Sequence, residues 1–490
     1  LKKLGVEELV GQFIFSRSVS AIPETWSRRT IDGRHLGFHP TLPVVEILAS
    51  DSTVIGWLLG YPIDSEAQLV TEDVRFAVSP SASDAFDQFE TALYGYGGRY
   101  AAIFLGREAS RVYLDPCGSL AVVFCPEQEM VASTSSLIPY LHKDDDNQEL
   151  IEAIEVPNED TYYPFGLTPR RSVERLLPSH YLDLQTWEAV RHWPKREIDV
   201  AQDVPEAVRE LVSLLKNNIS AIARNYSLHL ALTAGRDSRM LLACTREHVD
   251  RTLLYTVSGP SAGKRLDWDI ASRLARKHSL HHIQLDYEHS AAKDIEQWEQ
   301  RTGNCVHGDI MNWNMLYKRL EPQRAVLLGA SGELGRGFHF RQGDTETSTI
   351  VVEDILHKSQ MPNIPDVHRR ARQWLAGLAV HNALTIWGLL YNETFNGCWF
   401  GPVHYGFTHN ALYLWPFCHR RIIEIMLSFP REYRLNNLFP SDVVEQEWPE
   451  LLCLPFNWYV GFQRYIYGVK WRARKIWKKY FRLKRGHDSR

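Results

Sequence analysis

The sequence predicts an α+β domain followed by an α/β domain. A layered antiparallel β domain is expected over residues 1–198, a parallel-sheet α/β domain over 199–462, and a separate tail over 463–490. Three observations carry this expectation. From Val44 to about Trp193, short apolar runs alternate with turn residues, as in layered antiparallel sheets. Past Lys195, apolar runs of strand length alternate with stretches of helical spacing, which implies parallel strands covered on both faces. Within the second domain, Leu228-His229-Leu230-Ala231-Leu232 enters a turn of small residues, Thr233-Ala234-Gly235, and the chain leaves it in a helical pattern.

The elements follow in order. Strand candidates in the first domain are Val54–Leu59, Ala101–Leu105, Arg111–Leu114, Ala121–Phe124 and Tyr181–Leu184. Gly97-Gly98, Asp115-Pro116-Cys117-Gly118 and Leu177-Pro178-Ser179 supply turns. After a charged linker, Pro205 opens a helix, because its missing N–H is not needed there. Val208, Leu211, Val212, Leu215, Ile219 and Ile222 give that helix one apolar stripe. Arg251–Val257, His281–Leu285 and Arg324–Leu328 read as further buried strands, with a helix over Asp267–His278.

The stretch Leu228–Arg239 has the physics of an anion site. Backbone N–H groups at a helix start lack intrahelical partners, and the helix dipole favours negative charge there. Thr233 and Ser238 add hydroxyls, and Gly235 admits a close approach to the backbone. Asp237 repels a bare phosphate, so its presence calls for a divalent cation between the two. The competing reading is a strand-to-helix turn with a capping Asp or Ser. Ligands of such sheets sit at the carboxyl ends of the strands, where this loop lies.

Thr233-Ala234-Gly235-Arg236-Asp237-Ser238 resembles the Ser-Gly-Gly-x-Asp-Ser pyrophosphate loop of the N-type ATP pyrophosphatases. Gly98–Phe104, Val112–Leu120 and Ala132–Leu137 resemble, in that order, the motifs of class II glutamine amidotransferase domains, which implies a sandwich of the N-terminal-nucleophile type. Arg191-His192-Trp193-Pro194 is similar to the exit from that domain in asparagine synthetases. Asp267 with the following Ile270–Ala275 and His281-His282 resembles their segment after the second strand. Leu327–Phe338 resembles their strand followed by Gly-x-Gly-Ser-Asp-Glu-Leu-Phe-Gly-Gly-Tyr, matching at Glu333, Leu334 and Gly337. Leu414–Glu424 and Leu427–Arg434 resemble their Pro-Phe-Leu-Asp segment and the helix after it, with Cys418 and His419 standing where Leu-Asp is usual.

The resemblance, to the asparagine synthetase-like family and its lactam-forming and peptide-cyclising members, implies ATP and Mg2+ as cofactors. It implies an enzyme, a carbon–nitrogen ligase that adenylates a carboxylate, releases AMP and pyrophosphate, and joins the acyl group to an amine or ammonia. Leu232, Thr233, Ala234, Gly235, Arg236, Asp237 and Ser238 would then hold the nucleotide's phosphates, and Leu232, Val257, Ser258 and Gly329 would border its nucleoside. Asp237 and Glu333 would carry the metal; Gly332 stands where relatives have an acid. Arg236, Arg239 and Lys264 are charge-stabiliser candidates on their chemistry alone, so Asp237, Glu333, Lys264 and Arg239 form the catalytic set. The family's glutaminase uses an N-terminal cysteine, whereas this sequence begins with Leu1 and its first cysteine is Cys117. No glutaminase activity is expected, and Gly60–Asp64 reads as the remnant of a substrate loop. Gly259-Pro260-Ser261-Ala262-Gly263-Lys264-Arg265 only superficially resembles a Walker A loop. Its glycines are separated by three residues, and Arg265 replaces the magnesium-holding hydroxyl. Lys264 and Arg265 face phosphates or are solvated loop charges; the sequence leaves both open. The same residues leave open a non-catalytic scaffold of this family, and an ATP pyrophosphatase acting on a substrate other than a carboxylate.

Composition bounds the rest. With 44% hydrophobic and 23% charged residues the chain has ample core, and a net charge of −4 gives no nucleic-acid signature. The seven cysteines include no Cys-x-x-Cys pair, which argues against a zinc ribbon or a secreted disulfide scaffold. No spanning apolar run and no leader-like start are present, so a cytoplasmic location is expected. Expected partners are a small-molecule or peptide carboxylate and an amine, with no nucleic acid. Gln463–Arg485 carries ten Lys or Arg and no acid, with Ile466, Val469, Ala473, Ile476, Trp477, Tyr480 and Leu483 on one helical side. That tail reads either as a helix for an anionic membrane surface or as a docked helix with a solvated basic face.

Overall fold

The two longest strands, Val54–Ile63 and Gly97–Leu105, pair antiparallel from Gly56 opposite Phe104 to Ile63 opposite Gly97. They lie in a seven-stranded sheet, spatial order 189–191, 180–183, 110–114, 97–105, 54–63, 44–48, 74–75. A second, six-stranded sheet runs 174–175, 123–125, 130–132, 13–16, 34–38, 27–31. Alternating side chains of the two sheets meet in one core: Phe13, Phe15, Leu36 and Phe38 from one, Trp57, Leu59, Ile103 and Leu114 from the other. The other face of the seven-stranded sheet buries Leu58, Tyr100, Phe104 and Tyr113 against Phe89 and Leu93 of the helix Ala85–Tyr94. The two sheets form layers, as the alternation predicted, and are antiparallel except where 74–75 pairs in parallel with 44–48.

The computed structural model describes residue 5 and residues 8–106, 109–154, 160–321, 324–407 and 411–459. The basic segment 463–485 lies outside the described residues. Among the described residues, no helix is long and apolar enough to cross a membrane. The chain forms two compact units, residues 1–229 with 287–439 and residues 230–286 with 440–490, which cut across the expected boundary at residue 198.

Parallel strands are present in both units. Arg324–Leu327 pairs in parallel with Leu412–Leu414 in the larger unit, and Thr252–Ser258 with His282–Asp286 in the smaller. The helix Val204–Asn225 buries the predicted stripe of Val208, Leu211, Val212, Leu215, Ile219 and Ile222. Its first turn is capped by the Asp203 carboxylate, which accepts from Glu206 N at 2.9 Å.

Two expectations are corrected. Gly97-Gly98 is not a turn but the start of a strand. Gly98 has φ +86°, its N–H donates to Cys418 O at 2.8 Å, and a Cβ there would lie 2.3 Å from Tyr61 O. Close backbone approach, rather than chain reversal, is what the glycine supplies. Likewise Gly60–Ile63 finishes the strand Val54–Ile63 and is not a loop remnant. The strands Phe13–Ser16, Ser27–Ile31 and Arg34–Phe38, ahead of Val44, extend the β domain toward the N-terminus.

Buried histidines set a pH limit on this unit. Burial pulls His180, His229 and His339 down to about 4, from an ordinary value near 6.5. Between those values the unfolded chain binds protons that the folded chain does not, so stability rises with pH and is lost as pH falls through this window. Urea midpoints measured from pH 7 to pH 4 are expected to fall steeply below about 6.5; a flat profile would contradict this burial.

Candidate functional site

The loop after the strand Ser227–Ala231 is built on its own hydroxyls. Thr233 N donates to Ser238 Oγ at 3.1 Å, the Thr233 and Ser238 hydroxyls are 2.8 Å apart, and Gly235 N donates to Thr233 Oγ1 at 3.0 Å. Gly235 is the residue before the helix Arg236–Cys244, and Asp237 sits in that helix's first turn. Ala234 is fully buried and Leu232 has no exposed surface, whereas Thr233 and Gly235–Ser238 are half-buried. A rigid, partly open loop therefore presents hydroxyls, a helix N-terminus and one carboxylate.

Three neighbours hold this loop in place. Asp267 Oδ1 accepts from Ala234 N at 2.9 Å, and Asn457 N donates to Ala234 O at 2.8 Å. Arg239 is completely buried. Its guanidinium donates to the carbonyls of Leu454 at 2.6 Å, Pro455 at 2.9 Å, Ala234 at 3.1 Å and Leu451 at 3.4 Å, and lies 4.2 Å from the centre of the Phe456 ring. Burial pulls it down to about 10, still charged at neutral pH. The geometry thus gives Arg239 a different duty from the charge stabiliser expected: it ties residues 451–456 to the loop. Arg236 lies 5.6 Å from the same ring, on the half-buried side of the helix. Asp267 was read only as a helix-opening acid. Its carboxyl is raised by burial, with the Ala234 N–H opposing that shift. No local pattern could show its partner, since the bond spans 33 positions.

The next strand, Thr252–Ser258, passes through a turn into the helix Ala262–Lys277, which begins five residues earlier than Asp267. Ser261 caps it by accepting from Lys264 N at 3.2 Å, so Lys264 is a first-turn residue and not part of a phosphate-wrapping glycine loop. Val257 and Ser258 are half-buried at the strand's carboxyl end, where Ser258 Oγ donates to Asp286 at 2.6 Å. His282 faces Thr256 Oγ1 at 2.7 Å and stacks on Trp268 at 5.2 Å, which is a packing role. The loop's own oxygen donors are the Asp237 carboxylate and the Thr233 and Ser238 hydroxyls. That set suits a hard divalent cation such as Mg2+ better than a thiophilic metal.

The larger unit contains the other expected site residues. Gly329 follows the strand Arg324–Leu327 and accepts from Gly332 N at 3.2 Å. Ser331, at φ +76° and fully buried, accepts from Asn396 Nδ2 at 2.9 Å and meets the Cys117 thiol at 3.3 Å. The short 3-10 helix Gly332–Arg336 carries Glu333, whose carboxylate lies 3.5 Å from the Arg336 guanidinium. Behind it, Arg434 is buried, donates to Leu334 O at 3.0 Å and lies 4.2 Å from the Phe340 ring centre. A cavity of about 270 Å³ is lined by Glu333, Arg336, Gly337, Phe338, Phe340, Leu435 and Asn437.

Asp115, Cys117 and Cys418 also converge, with ligand-type atoms within 4.8 Å of one another. Asp115 is saturated by donors: Tyr100 N, Cys117 N, Ser119 N, Ser119 Oγ, Leu120 N and the Cys418 thiol, at 2.9–3.3 Å. Burial pushes the Cys418 thiol well above its usual range, so it donates as a neutral thiol. The cluster is a turn anchor, and Cys117 serves that turn. His419 caps the helix Arg420–Ser428, accepting from Arg421 N at 3.1 Å.

Among known proteins, no family model matches the chain, and no curated protein does.

Proposed function

We propose that the protein is an ATP-dependent, AMP-forming amide synthetase. It adenylates a carboxylate, releases pyrophosphate and passes the acyl group to an amine or to ammonia. One observation carries the reading: a loop braced by its own hydroxyls, opening a helix whose first turn holds Asp237, with the Asp267 carboxylate holding the loop's backbone. Such a loop stabilises a polyphosphate leaving group whose charge grows as the α-phosphorus–oxygen bond breaks. A bare helix cap would need neither the hydroxyl pair nor the second carboxylate.

In this reading the Thr233, Gly235 and Ser238 region accommodates pyrophosphate, and Leu232, Val257 and Ser258 border the nucleoside. Asp237 would hold Mg2+, which would screen the phosphate charge when bound. The carboxylate oxygen attacks the α-phosphorus and pyrophosphate departs; the amine nitrogen then attacks the acyl carbon, losing its proton, and AMP departs. Arg239 acts on the loop's position and not on the reacting atoms. The partners are then a small-molecule or peptide carboxylate and an amine.

ATP–pyrophosphate exchange across a panel of carboxylates tests this. Exchange is expected with a subset of carboxylates, dependent on Mg2+ and abolished by EDTA. Labelled pyrophosphate that never enters ATP with any carboxylate, while the protein turns over ATP, would contradict adenylation.

A further inference from the structure

The cavity beside Glu333 lies wholly within the larger unit, and its lining divides by chemistry. Glu333, Arg336 and Asn437 supply a carboxylate, a guanidinium and a carboxamide; Phe338, Phe340 and Leu435 supply apolar surface. Phe338 is 54% exposed, unusual for a large apolar side chain that lines a cavity. Its ring is held from behind: it lies 4.9 Å from Tyr391 and stacks on Phe395 at 6.0 Å. The row continues from Phe395 to Trp399 at 4.8 Å and from Trp399 to Phe400 at 4.1 Å. Tyr391–Phe400 is a π-helix, a rare conformation frequent at functional sites. A supported aromatic face is thus held open to a cavity that carries both signs of charge.

The Glu333–Arg336 pair narrows the choice of ligand. A ligand with one charge would satisfy one partner and leave the other uncompensated in a partly buried place. A zwitterion satisfies both, with its ammonium at Glu333 and its carboxylate at Arg336. An aromatic side chain completes the match, because offset stacking on Phe338 adds to simple burial. The volume, about 270 Å³, suits one small molecule and not a drug-sized or polymeric one. We propose that this cavity binds an aromatic amino acid, its ring on Phe338 and its charged head on Glu333 and Arg336. As a substrate assignment this rests on the synthetase reading above; as a binding site it does not need ATP.

The test is calorimetric titration of the full chain, without nucleotide, using L-phenylalanine, L-tryptophan, L-leucine, phenethylamine and 3-phenylpropionate. Saturable binding of the two aromatic amino acids is expected, with the other three at least about tenfold weaker, the loss of one good contact. Phe338→Leu should cut aromatic affinity by a similar factor and leave the thermal midpoint unchanged, since the side chain is largely exposed. Arg336→Gln should abolish the advantage of L-phenylalanine over phenethylamine. No saturable binding, equal binding of L-leucine, or an unaffected Phe338→Leu variant would overturn the proposal. Aromatic binding without any ATP turnover would contradict the synthetase reading and leave this one standing. Turnover restricted to aliphatic substrates would overturn the substrate assignment alone.

Discussion

Replacing Asp237 by asparagine is expected to slow pyrophosphate release from ATP by about 10²–10³-fold while leaving the thermal midpoint nearly unchanged. Asp237 is half-buried in the first turn of the helix Arg236–Cys244, and the loop's shape is kept by the Thr233 and Ser238 hydroxyls. Asparagine keeps the size and removes the charge a cation needs, so metal affinity falls where packing does not. The measurement is paired: pyrophosphate release at saturating and limiting Mg2+, and thermal unfolding of the same preparation. Full activity in the variant, or activity restored without raised Mg2+, would contradict a metal-holding role.

Arg239→Ala is expected to do the reverse: to unfold before it fails catalytically. The change takes the guanidinium donor from the carbonyls of Leu451, Leu454 and Pro455, leaves Ala234 O to Asn457 N, and removes the nearer of the two guanidinium groups at the Phe456 ring. Each buried carbonyl that loses its charged donor costs about 1–3 kcal/mol. Arg239→Lys should recover little, because an ammonium cannot span four carbonyls in a fork. Urea unfolding monitored by proteolysis between residues 449 and 459 reads the effect directly. A variant with native stability and lost activity would show that the guanidinium acts on the reaction and not on the loop.

These opposite expectations for Asp237 and Arg239 show what was legible in the sequence. The apolar run into Leu232, the small residues of the turn and the stripe of the helix Val204–Asn225 are local patterns, and the structure forms each element where the pattern lies. The tie made by Arg239 is not legible locally, because three of its four carbonyl partners lie more than two hundred positions away, at 451–455. Asp267 was under-read for the same reason. The strand Ser27–Ile31 was missed because it is an edge strand: Ser-Arg-Arg-Thr-Ile keeps its middle residues in solvent, so no apolar alternation marks it. The π-helix Tyr391–Phe400 is invisible for another reason. Its aromatics at positions 391, 395 and 399 fit an ordinary helical spacing, and only the hydrogen-bond ladder distinguishes the two. Most of that aromatic-rich stretch is core; the row that ends at Phe338 is the part that reaches a cavity.

The central claim is that the loop Thr233–Ser238 serves cleavage between the α- and β-phosphates. Phosphorus NMR of ATP turned over by the full chain with Mg2+, a carboxylate that supports exchange and an amine tests it most directly. AMP and pyrophosphate in equal amounts, with one amide formed per AMP, are expected. ADP with inorganic phosphate would contradict the claim.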